Sequence, residues 1–80
     1  MHDWLEQARV KVASAVDEDP AGYDLSPADV EELLELARLA AHESGERTNA
    51  PLVCYLVGLA HGRRGGELAD LVDAVIGKRV

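Results

Sequence analysis

An all-α fold, a compact up-down-like four-helix bundle with a buried apolar third helix, is what this sequence predicts, and three observations predict it. The first is the run 52–60, Leu-Val-Cys-Tyr-Leu-Val-Gly-Leu-Ala, which is apolar on every side. It follows Pro51 and continues through His61 and Gly62, long for a strand and normal for a helix. It is too short to cross a bilayer, which needs about 20 apolar residues. The second observation is helical periodicity in three further segments. The third is that the links between segments are short and rich in Gly, Pro and acids, which favours antiparallel neighbours.

The first helix is expected over 3–16. Asp3 and Glu6 are spaced as a capping box, and Trp4, Leu5, Ala8, Val12, Ala15 and Val16 recur on one face. Residues 17–24 then break the period: Pro20 and Gly22 punctuate it, and four acids crowd one connection. The spacing of Asp17, Asp19 and Gly22 is partly that of a calcium loop. Pro20 and Ala21 stand where ligands should, however, and Ala28 replaces the closing glutamate, so calcium is not expected.

The second helix, 27–44, has the clearest start. Ser26 is the cap, Pro27 takes the first helical position, Asp29 lies in the first turn, and Leu25 and Val30 are placed as a hydrophobic staple. Val30, Leu33, Leu34, Ala37, Ala40 and Ala41 mark its apolar face, widened by Leu36 and Leu39, and Glu31, Glu32 and Glu35 its solvated side. Gly45 closes it. The third helix is expected over 51–62, with Ala50 non-helical because it precedes proline. Gly58 and Gly62 share one face, where another element of the chain could pack closely; a dimer seam is the alternative. Arg63, Arg64, Gly65 and Gly66 turn into a fourth helix over 67–77, marked by Leu68, Leu71, Val72, Val75 and Ile76.

Residues 1–80 thus read as one domain, small enough that its core is marginal without a partner or a second copy. Net charge is −7, with ten acids against two bases through Leu36 and five against six thereafter. Nucleic-acid and anionic-membrane binding are disfavoured. The single Cys54 excludes an internal disulfide, and no secretory leader is visible, so the expected compartment is the cytoplasm. Six arginines against two lysines in an Ala-, Gly- and Val-rich chain suggest GC-rich bacterial coding.

Candidate chemistry is sparse. Cys54 lies among apolar neighbours, where a thiol is inert. His2, His42 and His61 have no metal-ligand spacing, and Ser14, Ser26 and Ser44 have no evident base, so no metal, cofactor or catalytic residue is expected and the chain is not read as an enzyme. Arg63 and Arg64 sit where a helix C-terminus favours cations, with the acidic loop as their expected partner. His42 and Arg47, joined by Lys78 and Arg79, form the other cationic end. Either pair, His42 with Arg47 or Arg63 with Arg64, could hold a small anion such as a pterin or nucleotide. Glu31, Glu32 and Glu35 are the candidate partner-binding face.

The chain resembles an uncharacterised family of small helical bacterial domains found alone or fused to a molybdenum cofactor guanylyltransferase. The resemblance rests on Trp4-Leu5, on the run 33–42, on Ala50-Pro51-Leu52 through Tyr55-Leu56-Val57-Gly58-Leu59-Ala60, and on Gly62-Arg63 and Gly65-Gly66. The acidic loop and the link 43–49 depart from it. The resemblance implies an accessory role in cofactor maturation, with the guanylyltransferase or a recipient molybdoenzyme as protein partner, and it carries over no catalytic residue. The leading expectation is a non-catalytic interaction module; the alternatives are an anion-binding module and a homo-oligomeric, for example dimeric, structural domain.

Overall fold

The computed structural model describes residues 3–77. Four helices follow one another: α1 (Asp3–Ala15), α2 (Pro27–Ser44), α3 (Asn49–Arg64) and α4 (Leu68–Ile76), with a 3-10 turn, Pro20–Tyr23, between α1 and α2. No strand is present among the described residues, and the chain belongs to the all-α, four-helix class.

Local chemistry sets most boundaries. At the start of α2 the Ser26 hydroxyl accepts the Asp29 N–H (3.0 Å), while the Asp29 carboxylate accepts the Ser26 N–H (3.3 Å). Two donors of the first turn are thereby satisfied. The helix α1 closes by the pair of bonds that commonly ends a helix: Glu18 N–H to Ala13 C=O (2.9 Å) and Asp17 N–H to Ser14 C=O (3.2 Å). Asp17 takes the left-handed position of that motif at φ 56°, where glycine is the usual occupant. The capping role expected of Asp3 is not seen. Asp3 is itself helical, the residue before it lies outside the described residues, and Glu6 bonds Arg9 (2.9 Å) instead.

The third helix is longer than its sequence suggests. Asn49 and Ala50 are helical, so Pro51 occupies the third helical position, not the first. The first four N–H groups of a helix have no intrahelical acceptor, so proline there costs no bond, and the restriction on Ala50 is overridden. At the other end α3 runs to Arg64, and Gly65 (φ 72°) and Gly66 (φ 87°) supply the left-handed backbone that reverses the chain into α4.

The core lies among α2, α3 and α4, each of which contacts the other two. Leu36, Val57, Leu68 and Val72 are buried, with Leu33, Val53, Cys54, Leu71 and Ile76 packed around them. Each such side chain contributes about 1.5–3 kcal/mol on burial. The helix α1 supplies none of them. Its backbone approaches only the 3-10 turn, Ala13 is its one buried residue, and no Cα of α1 comes within 8 Å of α2, α3 or α4. Packing within the four-helix class is therefore uneven, and the molecule extends over 36 × 25 × 20 Å.

This unevenness corrects two expectations. The third helix is central but not buried all round: Val57 points inward, while Leu52, Tyr55 and Leu56 are 61–66% exposed. Nor do Gly58 and Gly62 receive a close neighbour, since a Cβ added at either would meet nothing within 4 Å. An apolar sequence makes burial favourable, but one layer of helix on each side is needed to achieve it, and α3 has neighbours on one side only.

Candidate functional site

The residues 17–24 are held by their own acids. Asp19 caps the 3-10 turn by accepting the Ala21 N–H (2.9 Å), and Tyr23 donates its hydroxyl to Glu18. That bond to a carboxylate, with some desolvation, raises the Tyr23 pKa above the ordinary phenol value. Arg9 is the clamp between α1 and this segment. It donates to Pro20 C=O (2.5 Å), pairs with Asp24 (2.9 Å) and Glu6 (2.9 Å), and is only 19% exposed at its side chain. The Glu6 bond is the largest cause of its raised pKa.

So fixed, the segment stands over the glycine face of α3 and leaves a cleft of about 390 Å³ between itself, the first turns of α2 and the last turns of α3. Leu25, Leu33 and Leu68 supply apolar walls, Gly58 and Gly62 line α3's side, and Tyr23 stands at the edge. The glycines have no side chain to fill the space. A shallower groove of about 510 Å³ continues from the same glycines past Tyr55 and Leu59 to Arg63.

The polar groups of the cleft are already engaged. Asp24 holds Arg9, and Asp29 caps α2. The His61 Nε2–H donates to Gly66 C=O (3.0 Å), pinning the α3–α4 turn. Cys54 contacts Leu33 C=O through its sulfur (3.9 Å), and desolvation raises its pKa, which keeps it a thiol. The walls suit an apolar group, and the size matches an anchoring side chain or a small ligand.

The residues singled out from sequence are not gathered in this cleft. His42 and Arg47 are exposed at the α2–α3 link, whereas Arg63 and Arg64 are exposed at the far end of α3. The 16 residues of α3 separate them by about 24 Å. Of the carboxylates expected to pair with Arg63 and Arg64, Asp24 is engaged by Arg9 of α1 and Glu18 by Tyr23 of the same segment instead. His2, Lys78 and Arg79 lie outside the described residues. The acidic face is divided: Glu31 is exposed, Glu32 is half-buried, and Glu35 is half-buried and paired with Arg38 (2.5 Å). No group of His, Cys, Asp and Glu suited to a metal occurs among the described residues, and none of their helices is long and apolar enough to cross a membrane.

Sequence reasoning missed Arg9 and Tyr23, which build the cleft. The available signal was an arginine eleven residues before a proline-containing acidic loop, legible only once the helix turns back at Asp17.

Fold and cleft define a small four-helix domain whose cleft polar groups serve structure and which leaves many large apolar side chains exposed. The chain belongs to the family described as Domain of unknown function (DUF6457), whose model matches residues 1–79. The small uncharacterised domain that the sequence resembled is thus the right class. Neither curated proteins nor solved structures gave a match.

Proposed function

We propose that this domain is a non-catalytic interaction module that receives an apolar anchor of a protein partner in the cleft beside Gly58 and Gly62. The observation that supports this most directly is a cleft with apolar walls, floored by glycine, whose polar groups are all engaged in holding the fold. Catalysis needs a nucleophile, acid or base free to change partners; Cys54 is held as a thiol, and His61 is committed to the backbone. An anionic ligand is less well served, because Asp24 and Asp29 border the cleft and the two cationic pairs lie apart.

The partner we assign is a molybdenum cofactor guanylyltransferase or a recipient molybdoenzyme, in the bacterial cytoplasm. That assignment follows from the family resemblance of the segments around 33–42 and 50–66. The test is capture of purified guanylyltransferase and molybdoenzyme by the immobilised domain, against a Gly58→Leu variant that fills the cleft. Retention by the native domain and loss by the variant is the expected result. Equal retention by both removes the cleft from the contact, and no retention by either removes this partner class.

A further inference from the structure

The accessible surface of the chain is 6188 Å². A folded monomer of 8.6 kDa exposes about 4,700 Å². The excess of about 1,500 Å² is larger than the roughly 800 Å² that each partner gives to a standard interface, and it falls in the range of obligate dimers.

Two exposed helix faces contribute to it. On α3, Leu52, Tyr55 and Leu56 are 61%, 66% and 61% exposed and share one side. On α1, Trp4 and Val12 are 76% and 53% exposed, and they lie on the apolar stripe that also carries Leu5 and Ala8. Each is the kind of face a bundle helix buries, and neither has a partner within the chain. The helix α1 is held away from its own α3 because Arg9 ties it to Pro20 and Asp24.

We infer that a second copy of this chain is the occupant: α1 of one copy covers the Leu52, Tyr55 and Leu56 face of α3 in the other, and reciprocally. Both halves of the contact are present on one chain, so a single two-fold operation covers all four faces and closes the assembly. Charge permits it. The chain carries −7, but α1 has two acids and two bases, and α3 has two arginines and no acid, so the joined faces contain none of the net negative charge. The α3 face adjoins the cleft at Gly58, but the inference does not depend on what the cleft binds.

The test is sedimentation equilibrium of the full chain across micromolar concentrations, with no other protein present. The expected mass is twice 8.6 kDa. Leu52→Glu with Tyr55→Glu should weaken the dimer by about 100-fold or more while helical circular dichroism is retained, because these side chains are already exposed in the single chain. Val12→Glu on α1 should do the same. Mixing the two variants should restore association, since a mixed dimer keeps one undamaged α1–α3 contact. Should the double glutamate lower helicity, Tyr55→Ala with Leu52→Ala is measured in its place. A monomer at all concentrations overturns the inference, as α1 then closes on its own α3 or stays open. A dimer that survives Val12→Glu, or variants that do not complement, overturns the α1-on-α3 pairing. Sedimentation uses this chain alone whereas capture needs a second purified protein, so failure here is separable from failure of partner capture.

Discussion

Replacing Gly58 by alanine tests the open cleft through stability. Glycine in a helix interior is less favourable than alanine by about 0.8–1 kcal/mol, because the unfolded chain loses more freedom on ordering and the helix gains no side-chain cover. Gly58 lies in the middle of α3, its φ is helical, and a Cβ there meets nothing within 4 Å. No overlap offsets the gain, so Gly58→Ala should stabilise the protein by nearly the full amount. In a domain of this size that is a rise in Tm of about 4–8 °C. The assay is thermal unfolding by circular dichroism at one protein concentration for both forms, since self-association would make Tm depend on concentration. A Tm that falls would mean that Gly58 is covered closely by another element, and both the cleft and the anchor-binding proposal would go with it.

Three further outcomes follow from local geometry. Ser26→Ala removes the reciprocal cap of α2 and should cost about 1 kcal/mol in urea unfolding, with Ser26→Gly costing less. Tyr23 should ionise at higher pH than an ordinary phenol, and Glu18→Gln should lower that midpoint in an ultraviolet titration; an unchanged midpoint would remove the Tyr23–Glu18 bond. Cys54 should react with a thiol reagent more slowly in the folded chain than in urea. Its folded pKa is raised, so this group's stabilising contribution is complete below the ordinary thiol pKa and is lost as pH rises through the folded value. Equal rates in both states would show that Cys54 is not desolvated.

The sequence by itself determined the helices. Their start and stop signals are local: Ser26, Pro27 and Asp29 open α2 whatever surrounds it, and Gly45 closes it in a backbone conformation that other residues rarely adopt, whereas α3 extends past its expected bounds at both ends. Periodicity also identified the inward residues Leu68 and Val72 of α4, but those of α2 only roughly: Leu36, expected at the margin of the apolar face, is fully buried against the core, while Leu34, expected within that face, is 65% exposed. The half-buried place of Cys54 against the core was legible from its apolar neighbours.

Only the tertiary structure decided which apolar faces find a cover. Apolar residues recur on one face of α1 as they do on α2, and they fill every side of α3, yet Trp4, Val12, Leu52 and Tyr55 remain exposed. Spacing records that a face should be buried, not against what. The outcome here turned on long-range placement: the reversal at Asp17 lets Arg9 reach Pro20 and Asp24, which fastens α1 to the 3-10 turn and away from the core. That same placement engages the acids expected to meet Arg63 and Arg64, and it leaves Gly58 and Gly62 facing an open cleft. Local rules act over one turn of helix, whereas a cleft or an uncovered face is a property of elements brought together from distant parts of the chain.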